Sequence, residues 1–516
     1  MKRALQLLFV ASILCASSAY AQQIAPVIAV DNPPNTAAQQ AKHYVILVSL
    51  DGFRYDYPAK YGAPHIGSMA KDGASAPDGM LPSYPSLTFP NHLTLVTGLY
   101  PEHHGIVANS FYDATRNDTY VYTQSRTNGD GTWYRGTPLW SLAEQQGMRS
   151  ACFFWPGSEA EIAGKRPSYY LKFDNKFDDK KRVEQVLAWL ALPPEQRPHF
   201  ITLYYSNVDH EGHEHGPDSD EVRAAVHHVD DMIGDLQAGI AASKLPVDLI
   251  VVADHGMIGL QGDPIDLSTF ANLNGVHTEG SFIYAKDDAQ TARIYSEFKA
   301  HPDPRFSVYR RAEMPKELHY DEDPREGDPV IVPNGPYNII SKPLTKPSTL
   351  HGMHGYDPNK MPEMKAIFFA EGPDIKPGTQ LKTFANTSIY PFIVGLLDLS
   401  PPHIDGSISK VQPALADIPG HVYQVADDVT APVLLKHHGA NYSKAAKDAK
   451  VTGVVVVGFI VEKDGTPSNV HVIRGIGYGL DEEAVKAVSQ YRFKPSSRSG
   501  SPVRVEVNVE SNFQLF

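Results

Sequence analysis

Seven residues of metal-ligand type stand at the ends of apolar runs or inside short polar motifs: Asp51, Thr88, Asp209, His213, Asp254, His255 and His354. Asp51 closes HYVILVSLD, Thr88 lies in SLTFPNH, Asp209 and His213 in VDHEGHEHGPDS, Asp254 and His255 close LIVVADH, and His354 lies in HGMHGYDP. Zinc takes imidazole nitrogens and carboxylate oxygens, usually four ligands, and a catalytic ion keeps one position for water or substrate. Two such ions about 4 Å apart clamp the entering and leaving oxygens of an in-line displacement at phosphorus. A threonine hydroxyl is a weak nucleophile until a metal lowers its pKa. The set reads as a two-zinc phosphoryl-transfer centre in which Thr88 attacks phosphorus.

Singly, each motif has a plainer reading. An Asp at a strand end often only caps the following turn, and most of the 22 histidines must be solvated or structural. VDHEGHEH is sharper: it reads as a flexible polar loop whose carboxylate and imidazoles have no use in a core. Five such segments in one chain make coincidence the weaker explanation.

The elements that must carry these residues form an α/β pattern. Strand-like apolar runs at 43–50, 200–205 and 249–253 alternate with helical patterns at 137–147, 180–192 and 219–240, which predicts a mostly parallel, doubly wound sheet flanked by helices. Asp51, Asp209 and Asp254 fall just after such runs, at the carboxyl ends where open α/β sheets gather ligands. After Thr88, FPNHLTLVTGLY predicts a helix with Pro90 in its first turn. A helix N-terminus offers free amides to an anion. Residues 258–350 are richer in turns and polar side chains.

The 516 residues, 42% hydrophobic and 20% charged, suit a globular protein of two or three units. MKRALQLLFVASILCASSAYAQQ has a basic start, an apolar run and small residues at Ala19 and Ala21, so residues 1–21 read as a secretory signal cleaved before Gln22. The apolar run Ala4–Ala16 is short for a bilayer span, and no later stretch approaches the roughly 20 residues one needs. A periplasmic or secreted, soluble mature protein is expected. Cys152 is then the only cysteine left, which excludes an intrachain disulfide. The net charge of −13 becomes −15 once Lys2 and Arg3 leave with the signal. So acidic a chain has no general attraction for a phosphate polymer, which argues against extended nucleic acid and for a small phosphodiester.

The order LVSLDGFR, PSLTFPNHLTLVTGLYPEHHGIVANSFYD, FFWPGSEAEIAGKRPSYY, HFITLYYSNVDHEGHEHGPDS, VVADHGM and HGMHGYDP, over about 43–400, resembles the nucleotide pyrophosphatase/phosphodiesterase family of the alkaline phosphatase superfamily. The resemblance implies two Zn2+, one held by Asp209, His213 and His354 and the other by Asp51, Thr88, Asp254 and His255. It also implies that the Asn109 side chain and the Thr88 amide bind a non-bridging phosphate oxygen. Phe89 and Phe173, the latter where the family commonly has Tyr, would stack on a nucleobase, with Tyr204 on the pocket floor. Such stacking is worth about 1–3 kcal/mol per base. The implied activity is hydrolysis of nucleotide phosphodiester or pyrophosphate bonds through a phosphothreonine, releasing nucleoside 5′-monophosphates. A phosphate monoesterase or a choline-headgroup phosphodiesterase of the same superfamily is the alternative, and a degenerate, non-catalytic envelope binding module is the third reading.

Beyond SISKVQPALADIPGHVYQVADDVTAPV the composition changes. VTGVVVVGFIVEKDGTPSNVHVIRG, LDEEAVKAVSQYRFKPS and VRVEVNVESNFQLF predict strand, turn at Asp464-Gly465, strand, helix and strand. Leu480, Ala484, Val488 and Tyr491 share one helix face. This small α+β unit resembles the TonB C-terminal domain, without the membrane anchor or proline-rich spacer of the transducing proteins. Docking to an envelope protein, or self-association, is the implied role, and His437 and His438 are expected to be solvated. The expected organisation is therefore a signal at 1–21, an N-terminal segment at 22–42, a phosphodiesterase domain at 43–408, a linker at 409–429 and the TonB-like unit at 430–516.

Overall fold

The computed structural model describes residues 25–417, 422–426, 428–498 and 500–514. The expected signal peptide, and part of the segments expected on either side of the catalytic unit, lie outside the described residues.

The larger unit is built on a nine-stranded sheet whose strands are β1 (Ile28–Ala29), β2 (Tyr44–Leu50), β3 (Ala74–Ser75), β4 (Ser150–Phe153), β5 (Tyr169–Tyr170), β6 (Phe200–Tyr205), β7 (Val247–Val252), β8 (Phe368–Glu371) and β9 (Thr379–Gln380). Their spatial order is β1-β5-β4-β6-β2-β7-β8-β3-β9. The strands β4, β6, β2 and β7 run parallel, and β8 lies antiparallel to β7. Every residue of β2, β6 and β7 is buried. That burial on both faces explains why these strands read as continuous apolar runs and not as alternating patterns. Leu50 pairs with Tyr205, and Ser49 with Val252, so three strands end level and release their polar residues at one edge of the sheet.

The helices are α1 (Pro64–Asp72), α2 (Thr88–Thr97), α3 (Asp179–Leu190), α4 (Asn207–His215), α5 (Asp220–Ser243) and α6 (Ile389–Leu397). The helical patterns predicted at 180–192 and 219–240 are α3 and α5, and that at 137–147 is Leu139–Gln145. The VDHEGHEH segment differs from its expectation: it is helix α4, not a flexible loop. Its charges suit a helix once placed. Asp209 lies in the first turn and His213 and His215 in the last, complementing the macrodipole. Glu214 lies 3.7 Å from His210, and Glu211 lies 3.5 Å from His215, both as i,i+4 pairs.

The turn-rich 258–350 segment holds a core of its own. Ile265, Leu267, Ile283, Ile294, Phe298 and Phe306 pack around a helix at Asp288–Ala300. Farther on, β10 (Gly453–Val461), β11 (Pro467–Arg474), α7 (Leu480–Val488) and β12 (Ser501–Phe513) follow the predicted order. Leu480, Ala484, Val488 and Tyr491 are buried with Val455, Val457 and Phe459 in a separate core. His437 is exposed and His438 half-buried. At the junction, the buried Arg498 donates to the carbonyls of Gln412, Pro413 and Ala416 and pairs with Asp428 at 2.7 Å. Among the described residues, no helix is long and apolar enough to cross a membrane.

Candidate functional site

The level ends of β2 and β7, the first turn of α2 and the helix α4 converge. Asp51 follows β2, Asp254 and His255 follow β7, Asp209 and His213 face inward four residues apart on α4, and a loop brings His354. Two clusters result: Asp51 with Asp254 and His255, and Asp209 with His213 and His354. Within each, one ligand atom per residue lies within 4.8 Å of the others. The clusters adjoin through the stacked rings of His255 and His354, whose centroids are 3.6 Å apart. Gly52 permits this approach. It has φ +68°, and a Cβ there would lie 2.8 Å from the Asp209 Cα and 2.9 Å from its Cβ.

The donors are arranged for cations. Nδ1 of His213 faces the Gly352 carbonyl, that of His354 the Ser86 carbonyl and that of His255 the Gly256 carbonyl, at 2.8–2.9 Å. A carbonyl only accepts, so each Nδ1 carries a proton, and in the neutral ring Nε2 then presents a lone pair. The bare Nε2 atoms of His213 and His354 nevertheless lie 3.1 Å apart. Two lone pairs at that distance repel unless a positive charge sits between them. Two carboxylate oxygens, Asp51 Oδ1 and Asp209 Oδ1, are buried without a hydrogen-bond partner. Donors and orphaned atoms thus fit a metal at each cluster.

The titration behaviour has the same cause. Burial, then the Asp254 and Asp209 carboxylates, push Asp51 well above the ordinary carboxylate range. Burial likewise raises Asp209. Burial also acts to raise Asp254, but His255 and His92 outweigh it and hold that carboxyl well below its usual value. His354 is pushed far down by burial and by the neighbouring His255 and His213, which keeps it neutral.

Thr88 is the first residue of α2, and its Oγ1 lies 3.3 Å from His255 Nε2. Asn109 accepts the Phe89 N–H through Oδ1 at 2.9 Å, which turns its amide NH2 away from the backbone. Asn109, Thr88, Asp51, Asp209, His213 and His354 line one cavity of about 1000 Å³. Phe89 and Phe173 line it too, Phe173 being 48% exposed and edge-on to Phe154 at 5.4 Å. Tyr204 reaches the cavity, but its hydroxyl donates to Asp51 Oδ2 at 2.5 Å, so it orients the Asp51 carboxylate as well as lining the cavity. Tyr204→Phe is expected to lower metal affinity or kcat about tenfold while leaving the fold unchanged, measured by metal titration and steady-state kinetics.

Sequence reasoning missed two contributors. His92 is wholly buried, with Nδ1 at 2.8 Å from the Thr88 carbonyl and 3.3 Å from Asp254 Oδ2, and Nε2 at 2.9 Å from Ser49 Oγ. Its position four residues after Thr88, on the same helix face, was the available signal. Tyr122, with its ring 5.2 Å from Phe89, adds an aromatic wall that no motif announces.

Comparison with known proteins follows the same division of the chain. The pattern of the family described as type I phosphodiesterase / nucleotide pyrophosphatase matches residues 45–357, and that of the Gram-negative bacterial TonB protein C-terminal region matches 439–515. A pyrophosphatase/phosphodiesterase of Schizosaccharomyces pombe is 36% identical over 377 residues, covering 69% of this chain and 77% of that protein. Ectonucleotide pyrophosphatase/phosphodiesterase family member 1 of Homo sapiens is 33% identical over 420 residues, covering 78% of this chain and 45% of that protein. The chain therefore spans under half the length of the human relative. Among solved structures, murine ectonucleotide pyrophosphatase/phosphodiesterase 5 superposes with a TM-score of 0.68 at 30% identity, over 72% of this chain and all of that one. An inactive variant of the murine protein, solved in complex with AMP, superposes with the same score and identity over 73% of this chain.

Proposed function

Because the chain belongs to the type I phosphodiesterase/nucleotide pyrophosphatase family, we propose that it hydrolyses phosphodiester or pyrophosphate bonds of nucleotides, with Thr88 as nucleophile and a nucleoside 5′-monophosphate as product. The observation that carries this reading is the Thr88 hydroxyl at a helix N-terminus, 3.3 Å from His255 Nε2, in a cavity lined by Asp209, His213 and His354 of one metal-type cluster and by Asp51 of the other. Asp209, His213 and His354 would hold one Zn2+, and Asp51, Thr88, Asp254 and His255 the other. When bound, such ions acidify the threonine hydroxyl and water and offset charge on the phosphate.

The protein groups do the rest. Thr88 Oγ1 attacks phosphorus in line, the bond to the leaving alcohol or phosphate breaks, and the nucleotide is left on threonine. The free Thr88 N–H and the Asn109 NH2 donate to the non-bridging oxygen where charge develops. Asn109→Ala is expected to lower kcat about 10²-fold with a smaller change in KM. Water then cleaves the phosphothreonine, releasing the monophosphate and restoring the hydroxyl. Phe89 and Phe173, with Tyr122, offer ring faces and edges to a base, and the AMP held by the inactive murine relative is a ligand of that class. The proposed setting is the bacterial envelope, periplasmic or secreted, where the TonB-like unit contacts an envelope protein or a second copy.

The test compares p-nitrophenyl thymidine 5′-monophosphate with p-nitrophenyl phosphate. Expected is a preference for the diester by at least about 10²-fold in kcat/KM. A preference for the monoester would move the assignment to a phosphatase, and inactivity on both would favour a headgroup diesterase or a binding module.

A further inference from the structure

The sheet carries a second set of ligand-type residues at the edge opposite the catalytic cavity. His43 immediately precedes β2, Asp248 is the second residue of β7, and Asp374 follows β8. The length of β2, seven residues at about 3.3 Å each, separates this edge from Asp51. One ligand atom from each of the three lies within 4.8 Å of the others, and His43 Nδ1 is 2.6 Å from Asp374 Oδ2.

Asp248 is the informative member. It is 0% exposed, its Oδ1 accepts the Asp374 N–H at 3.0 Å, and its Oδ2 has no hydrogen-bond partner among the described residues. A carboxylate oxygen buried without a partner is costly unless a proton or a cation meets it. The loop from Gly372 to Asp374 closes directly over this carboxylate: a Cβ at Gly372 would fall 2.3 Å from Asp248 Oδ1. On the other side the His43 side chain is 38% exposed, which leaves a route from solvent.

We propose that His43, Asp248 and Asp374 form a third divalent-cation site, apart from the catalytic clusters, with one imidazole and two carboxylates suited to Zn2+. Two carboxylates with a neutral imidazole balance the charge of such an ion, and solvent on the His43 side supplies a fourth ligand. Without the cation, burial and the adjoining Asp374 carboxylate push the Asp248 carboxyl well above the ordinary carboxylate range.

The site would be structural. The Asp374 carbonyl accepts the Ala416 N–H at 2.8 Å, and the Ala416 carbonyl accepts from Arg498 at 3.3 Å. A cation that fixes Asp374 therefore also steadies the strap on which the C-terminal unit hangs.

The test uses the full chain, stripped with a chelator, reloaded with excess Zn2+, freed of loose metal by gel filtration and assayed by elemental analysis. His43→Ala, at a half-exposed position, is expected to retain one Zn2+ per chain fewer than the parent, with unchanged diester turnover and a smaller rise in Tm on adding Zn2+. Asp374→Asn, the second variant, should lose the same equivalent. Because the reading is a difference between parent and variant, it holds whatever number of ions the catalytic clusters take. Equal zinc in the parent and both variants would mean that a proton alone meets Asp248, and would overturn the proposal.

Discussion

Thr88→Ala is expected to lower turnover of a nucleotide phosphodiester by about 10⁴-fold or more, the scale on which removal of a covalent nucleophile is felt. The loss should be confined to chemistry. Thr88 occupies the first position of its helix, where its hydroxyl makes no capping bond, and its hydrogen bond is to His255. The start of the helix is held by other groups: Asn109 takes the Phe89 N–H, and the Leu87 carbonyl takes the Asn91 N–H. Melting of the variant should therefore stay within about 0.5 kcal/mol of the parent. Substrate affinity should largely survive as well, since the cavity walls and the carboxylate and imidazole ligands of both clusters remain. Thr88→Ser, which keeps the oxygen, should retain a measurable fraction of activity. A Thr88→Ala protein with full turnover would remove Thr88 from the mechanism.

The second large effect concerns the clusters. Stripping with a chelator is expected to reduce turnover by more than about 10³-fold and to lower stability together with it, and adding Zn2+ should restore both. The linkage follows from the orphaned oxygens of Asp51 and Asp209 and from the 3.1 Å approach of the His213 and His354 Nε2 atoms. Those groups repel one another in the bare protein and are reconciled by positive charge. An ion present at a thousand times its dissociation constant contributes about 4 kcal/mol to the folded state. Differential scanning calorimetry with and without chelator reads this directly, and a protein verified free of metal yet fully active would rule out the two-cluster mechanism.

The strands of this fold were legible because β2, β6 and β7 are buried on both faces and carry the unbroken apolar runs that such burial demands. Seven ligand-type residues could be read with them, since Asp51 and Asp254 directly follow those runs. Helix α4 was not legible, because its dense charge imitates loop composition. Its logic lies in dipole complementarity and i,i+4 pairing, which appear only once a helix is assumed. His92 and Tyr204 illustrate a different limit. Each contacts a ligand-type residue that is distant in sequence, His92 to Asp254 and Tyr204 to Asp51, and residue type alone does not announce such a contact. The core of the 258–350 segment was hidden because its apolar residues are spread thinly among turns and assemble only through tertiary packing.

The hydrogen atom that Gly52 carries in place of a side chain acts as a distance gauge. Any Cβ there would drive the Asp51 turn and the α4 backbone apart, and with them the two clusters that, in the proposed reaction, address one phosphate. In a saturation scan the position should behave as a threshold and not as a gradient: alanine, the smallest change available, would be about as damaging as tryptophan. Physicochemical similarity would carry no information there, and a comparison of active variants should find the site invariant although it touches no substrate.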